Sequence, residues 1–369
     1  MTTRSSGAGR RVLAGGLEVN PLGVGCWAIG GPDHNLGLPM GWTTADDDRA
    51  RAALERAFEL GANLFDTADV YGHGHSERLV GSLLRQVPRE EVVVSSKVGY
   101  LRDEDHPYEP RQMRRHLEST LDNLGVDYLD AYFFHNADFG EKDRYLAGAV
   151  EQMRDFQRQG LVRAVGMRGP HRFATERLQV AKAERDDKHA RFHRLFEAIR
   201  PQLLAVRFNA LTPVPAGARV FAFARRHGVS VLVNKPLAQG LLTGKHTAVR
   251  PPRYGDGDHR NRKRWFTRDA LTVIEAGLAP LRERFGGDRA ALVRVALRYC
   301  LQQDDNAAVL VGFTCEEHVE QNLTCLGEPL TEDELAFVRA VGARLQHELD
   351  SSGEVFLDEV GTERDGAGQ

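Results

Sequence analysis

Four ionisable residues stand where short apolar runs end, or just beyond. Asp66 closes Ala62–Asp66, Lys97 closes Val92–Lys97, His135 closes Tyr128–His135, and Tyr71 follows Asp66 in FDTADVYGHG. A lysine buried beside a carboxylate keeps its charge, and that charge can lower the pKa of a nearby phenol from its ordinary value of about 10. A tyrosine so tuned exchanges a proton with substrate as general acid or base near neutral pH. An imidazole beside it can hold the substrate oxygen. Alone, each residue also reads as an isolated polar group at a strand end. Convergence on one rim makes the four a proton-transfer set for an oxygen-bearing compound.

The elements that must bring them together alternate along the chain. Leu22–Trp27, Ala62–Asp66, Val92–Lys97, Tyr128–His135, Gly160–Met167, Leu203–Asn209, Val229–Val233 and Ala307–Val311 read as short strands separated by helix-length segments. After Thr44, a candidate N-cap, Ala45–Leu60 places Ala50, Ala53, Leu54, Ala57 and Phe58 on one face, and Gly61 ends the helix. Pro110–Leu124 carries Met113, Leu117, Leu121 and Leu124 at helical spacing. About eight strand–helix units without a domain break predict an α/β fold, a (β/α)8 TIM barrel, with function at the C-terminal ends of its strands. Arg11–Val19, centred on Gly15-Gly16, predicts a short N-terminal hairpin capping one end. The domain reading is a disordered N-terminus over 1–10, one barrel over 11–349 and a polar tail over 350–369. Three segments depart from the repeat: His171–Arg200 reads as a charged, solvated helix or pair of helices, Pro251–Trp265 as a mobile loop, and Ser351–Gln369 as a weakly ordered end.

The composition of the 369 residues excludes several classes. Hydrophobic residues make up 41% and charged residues 27%, ordinary globular usage rather than that of a disordered or collagen-like chain. A formal net charge of −3 gives no bias toward nucleic acid or an anionic membrane surface. No apolar run approaches the ~20 residues of a membrane helix. The four cysteines, Cys26, Cys300, Cys315 and Cys325, lack CxxC spacing and read as free thiols in a reducing, cytoplasmic setting.

Six ordered segments resemble the aldo-keto reductase superfamily, with similarity running from about Val12 to Leu345: GVGCWAIGG, GANLFDTADVYGHGHSERLVG, VVVSSKVG, LDAYFFHN, PLAQGLLTGK and VLVGFTCEEHVEQNL. The resemblance implies an NAD(P)H-dependent oxidoreductase that reduces an aldehyde or ketone to an alcohol. It implies that Tyr71 donates the proton, Lys97 depresses the Tyr71 pKa, Asp66 pairs with Lys97 and His135 orients the carbonyl, without a metal. It implies a cofactor site built from Trp27, Asp66, Arg168, Asn234, Lys235, Pro236, Leu237, Ala238, Gln239, Gly240, Leu242 and Lys245, with Gly312, Thr314, His318, Gln321 and Asn322 at the adenosine end. Trp27 reads equally as a pocket wall or a core aromatic. The implied cofactor is NADP, with NAD possible, because Thr314 stands where many NADPH-preferring members have a cation and Glu316 and Glu317 add like charge. Arg250 or Arg253 would then compensate. The implied partner is a small-molecule substrate, with oligomeric state left open.

Positions that would face the nicotinamide ring depart from the family pattern. Arg168-Gly169 replaces a Ser-Asn-like pair, Ala205 stands for a Gln, and Asn234-Lys235 replaces an aromatic followed by Ser. One reading is a divergent reductase. A second is a redox-neutral acid/base enzyme, a dehydratase or epimerase with a retained nicotinamide cofactor, in which Arg168 and Lys235 bind an anionic substrate group. A third is a nucleotide-binding regulatory subunit, against which the intact acid/base set argues. Gly23–Ala28 fits a loose GxGxxG/A pattern but is followed by Gly30-Gly31-Pro32 rather than a helix, and Gly240–Lys245 has the wrong spacing for a P-loop. His73, His75 and His106 lack the second ligand pair of a metal site.

Overall fold

Arg11–Leu13 (β1) and Leu17–Val19 (β2) form an antiparallel hairpin around Gly15 and Gly16, both with positive φ. In the computed structural model, which describes residues 9–35, 37–101, 105–170, 188–212, 214–353 and 357, the chain then enters a barrel. Its strands are β3 (Leu22–Gly25), β6 (Leu64–Asp66), β7 (Val93–Val98), β8 (Leu129–Phe134), β9 (Val162–Arg168), β10 (Leu203–Arg207), β11 (Ser230–Asn234) and β12 (Ala307–Gly312). They pair in chain order, all parallel, and β12 returns to β3 to close the circle. A two-residue-strand hairpin, β4 (His34–Asn35) and β5 (Leu38–Pro39), lies between β3 and β6 in sequence.

The period-two alternation of the strands explains the two cores. Leu64, Val93, Ala131, Phe133, Ala164, Leu203, Leu232, Ala308 and Leu310 point inward and pack with Leu13, Leu17 and Val19 of the hairpin, which plugs the end away from the strand C-termini. Their neighbours Phe65, Val94, Tyr132, Phe134, Val231, Val233 and Val309 point outward into the larger core beneath the helices. Gly166 on β9 gives room to the Phe133 ring: a Cβ there would lie 2.2 Å from Phe133 Cδ1.

The helices are α1 (Asp47–Glu59), α2 (His75–Leu84), α3 (Pro110–Leu124), α4 (Leu146–Arg158), α5 (Lys188–Ile199), α6 (Val214–Arg226), α7 (Arg268–Phe285), α8 (Arg289–Leu301), α9 (Glu316–Thr324) and α10 (Glu332–Ser351). The cap of α1 is Asp46 rather than Thr44, its carboxylate accepting the Arg49 N–H at 3.0 Å. The α3 helix begins at Pro110 and is capped by Glu109, which accepts from the Arg111 and Gln112 N–H groups. Part of the charged stretch His171–Arg200 lies outside the described residues. The part that forms α5 is not a purely solvated face, since it buries Phe192, Leu195, Phe196 and Ile199. Most of Ser351–Gln369 also lies outside the described residues.

The segment Pro251–Trp265 is not a free loop. Gly41 N–H donates to Gly257 O at 2.9 Å and His259 N–H to Gly41 O at 3.0 Å. The fully buried Asp258 carboxylate accepts from the Thr43 backbone and hydroxyl, each at 2.9 Å, and from Arg260 Nε and Nη2 at 2.9 and 2.6 Å. The Arg260 guanidinium lies 3.7 Å from the ring centres of both Trp42 and Tyr254. Its Pro, Gly and Arg content reads as solvent-loving in sequence, but the arginine is sandwiched and paired, so the segment roofs one side of the barrel mouth.

Candidate active site

Parallel strands that all end at one rim bring the four ionisable groups together. Asp66 ends β6, Lys97 is the penultimate residue of β7, His135 follows β8 with its N–H on Val98 O at 2.9 Å, and Tyr71 sits in the turn after β6. Lys97 Nζ donates to Asp66 Oδ2 at 2.7 Å and to the Thr67 carbonyl. Ser95 Oγ donates to Asp66 Oδ1 at 2.7 Å, fixing the carboxylate from its other side. The ammonium also hydrogen-bonds the Tyr71 side chain and lies 4.9 Å from its ring centre. The rings of Tyr71 and His135 meet edge to face at 5.8 Å.

The electrostatics differ from the sequence expectation at one point. Burial is the largest influence on Tyr71 and raises its pKa above the phenol value of 10; Lys97 pulls it back only in part. Tyr71 is therefore a protonated phenol at neutral pH. Burial alone would depress Lys97, but Asp66 and Tyr71 together raise it, so the ammonium stays charged. The His135 imidazole is held well below its usual range by burial, then by Lys97, Arg168 and Lys235, and is neutral. Among the described residues its Nδ1 has no hydrogen-bond partner.

These groups line a cavity of about 250 Å³ that runs from the tetrad to α9. Trp27, in the turn after β3, is one of its walls: the indole N–H donates to Met40 O at 2.9 Å, and the ring lies 6.1 Å from Tyr71 and 4.9 Å from His259. Asp66, Arg168, Asn234, Lys235, Pro236, Leu237, Gln239, Gly240, Lys245, Gly312, Thr314, His318, Gln321 and Asn322 also line it. Ala238 and Leu242 do not; both are buried behind the loop. Tyr100, His259, Arg262 and Arg289 line the cavity without having stood out in the sequence. Only Arg289, the first residue of α8 after its Asp288 cap, follows a local helix-start signal, and nothing in that signal points to a site.

The loop after β11 has positive φ at Lys235 (58°), Ala238 (49°), Gln239 (60°) and Gly240 (93°). Asn209, buried after β10, donates from Nδ2 to Lys235 O at 2.9 Å and holds this backbone. A Cβ on Gly240 would lie 2.8 Å from Lys245 Cε, so the glycine lets that lysine cross the groove. At the far end Thr314 Oγ1 and His318 Nδ1 are 3.1 Å apart, and Asn322 Nδ2 donates to Gly312 O at 3.3 Å. Burial, then Lys245 and Arg289, hold the His318 pKa down, and all three side chains line the cavity. Glu317 is engaged by Arg49 at 3.1 Å. Arg250 and Arg253 do not line the cavity.

The groove fits a dinucleotide on its own chemistry. Gln239 Nε2 has no partner among the described residues, and Lys245 and Arg289 line the groove beyond it. An open amide donor beside positive charge suits a phosphate-bearing ligand.

An eight-stranded parallel barrel with Asp66, Tyr71, Lys97 and His135 gathered at one rim beside such a groove fits the class of dinucleotide-dependent enzymes of proton and hydride transfer. Residues 21–343 match the aldo/keto reductase family, and the chain belongs to it. It is 28% identical over 345 residues to an NADH-specific methylglyoxal reductase of Escherichia coli (strain K12), covering 89% of this chain and 97% of that one. Its fold is similar to that of a glycerol dehydrogenase from Gluconobacter oxydans (TM-score 0.69, 24% identity, 91% of this chain and 95% of that one). It is also similar to an aldo-keto reductase from Klebsiella pneumoniae in complex with NADPH (TM-score 0.61, 22% identity, 91% and 96%). The chain is thus a nicotinamide-dependent oxidoreductase of carbonyl compounds.

Proposed function

We propose that Tyr71 delivers the proton that completes reduction of an aldehyde or ketone, with Lys97, Asp66 and His135 as its support. The observation that carries this reading is the Asp66–Lys97–Tyr71 chain, with the 2.7 Å ion pair behind the phenol. Neutral His135 offers a donor to the carbonyl oxygen without competing for the proton. As negative charge develops on that oxygen, Tyr71 releases its proton to it and Lys97 stabilises the phenolate left behind. The nicotinamide, when bound, supplies the hydride. The site would hold it between Trp27, Asn234 and the loop of Pro236–Gly240. Mixing the protein with NADPH and a panel of small aldehydes should give steady loss of nicotinamide absorbance. Binding of NADPH with no oxidation by any of them would instead favour the redox-neutral reading.

For cofactor choice, Lys245 and Arg289 supply at the adenosine end the charge that Thr314 lacks, and favour NADPH over NADH. Arg289→Ala is expected to lower kcat/KM for NADPH about tenfold, the scale of one partly exposed charged contact, and to leave NADH within about twofold. Parallel steady-state titrations of the two cofactors check this; equal losses would show that Arg289 reads no phosphate. The free thiols of Cys26, Cys300, Cys315 and Cys325 fit work in the cytoplasm. Among the described residues no helix is long and apolar enough to cross a membrane.

A further inference from the structure

We propose that the substrate is a short carbonyl compound that carries a carboxylate or phosphate, and that Arg168 and Lys235 bind this anionic group. This rests on the reductase reading and narrows it.

Three adjacent strand ends carry cations on this side of the mouth. Arg168 is the last residue of β9, Arg207 the last of β10, and Lys235 follows the last residue of β11. The register sets Ala205 opposite Arg168 and Arg207 opposite Asn234. Ala205 lines the cavity with only a methyl group, which leaves space beside the guanidinium. Arg168 Nη1 donates to Tyr100 Oη at 2.7 Å and to His135 O at 3.3 Å, so the group is fixed against the residue that orients the carbonyl. Neither acceptor is a carboxylate, and the remaining N–H groups of the fork stay available among the described residues. Lys235 Nζ lies 4.6 Å over the Trp27 ring, the same ring that stacks near Tyr71. Arg262 comes from the roof segment, is 5% exposed and lines the same cavity.

Like charges gathered in a recessed cavity repel one another and lose hydration. The cost shows in Lys235, whose pKa is driven well down by burial and then by Arg207, Arg168 and Arg262. A bound anion beside Arg168 and Lys235 offsets their like charge, and a planar guanidinium matches carboxylate or phosphate oxygens two at a time. The dinucleotide has its own donors further along the groove, at Gln239, Lys245 and Arg289. Arg168 and Lys235 sit instead with Trp27, Tyr100 and His135, at the proton-transfer end. Because Arg168 bonds Tyr100 Oη, and the Tyr100 ring lies 4.7 Å from the His135 ring, the anionic group and the reacting carbonyl are to be only a few atoms apart.

The test compares matched pairs at saturating NADPH: succinic semialdehyde against butanal, and glycolaldehyde phosphate against glycolaldehyde. In the wild type the charged member of at least one pair should show at least a tenfold higher kcat/KM, and which pair responds separates carboxylate from phosphate. Arg168→Met should bring that ratio close to one, and Arg168→Lys, which keeps charge without the fork, should give an intermediate ratio. A wild-type ratio of one or below in both pairs overturns the proposal. So does an equal loss for both members of a pair accompanied by weaker NADPH binding in a fluorescence titration, because the cations would then serve the dinucleotide. If no aldehyde is turned over, the reductase reading fails by itself, and malonate and inorganic phosphate are titrated into the enzyme–NADP complex. Binding that weakens at least tenfold in Arg168→Met sustains the anion site, and absence of binding sinks it.

Discussion

Tyr71→Phe is expected to lower kcat for carbonyl reduction by about 100- to 10,000-fold, the range lost with a positioned general acid. Its dissociation constant for NADPH should stay close to that of the wild type. The substitution removes one oxygen and leaves the ring that stacks near Trp27 and meets His135 edge to face. The cavity keeps its shape, so the loss belongs to proton delivery rather than to packing. The pH dependence follows from the direction of the Tyr71 shift. Burial raises its pKa above 10, and an acid must be protonated to act. Reduction by the wild type should therefore be level across neutral pH and fall only at strongly alkaline pH. Oxidation of the product alcohol needs the phenolate and should rise over that same alkaline range. Single-turnover rates for Tyr71→Phe and the wild type across the pH scale check both statements. Reduction that persists undiminished in the phenylalanine variant would remove Tyr71 from the chemistry.

That direction is something the sequence could not supply. Asp66, Tyr71, Lys97 and His135 were legible because each closes, or closely follows, an apolar run, and parallel strands bring such ends to one rim. The net shift of Tyr71 depends on how much water the fold removes from the phenol against how close Lys97 comes, and both are tertiary quantities. The eight strands were legible for a similar reason, since a fully buried parallel strand is a local apolar run. The hairpin was legible in Gly15-Gly16, where both residues take positive φ. The roof was not. In sequence Asp258 and Arg260 are two charges in a Pro- and Gly-rich stretch; only the approach of Thr43, Trp42 and Tyr254 turns them into a buried, satisfied pair. Arg262 and Arg289 were missed for the same reason: they come from a roof segment and a helix start, and line the cavity only because of what lies across the groove.

Lys97→Met is expected to damage stability and chemistry together, for one electrostatic reason. Lys97 and Asp66 are 5% and 6% exposed, and their 2.7 Å pair is how a buried carboxylate keeps a counter-charge. Removing the ammonium leaves Asp66, among the described residues, with Ser95 Oγ as its remaining short side-chain partner. Breaking a buried pair from one side costs about 3–5 kcal/mol, and denaturant unfolding near pH 7 should show a loss of that size. The fold raises the Lys97 pKa above its reference of 10.5. Its contribution to stability is therefore fully present below that value and lost as pH rises through the folded one. The gap between variant and wild type should stay constant over neutral pH and narrow only under strongly alkaline conditions. Asp66→Asn in the same chain should recover much of the loss, because it removes the stranded charge. It should not recover activity. Without Lys97 the largest influence that pulls the Tyr71 pKa down is gone, so the phenolate forms at still higher pH. The alkaline rise in alcohol oxidation should move upward in both the single and the double variant. If the double variant regained stability and wild-type turnover together, Lys97 would be a structural partner of Asp66 and nothing more.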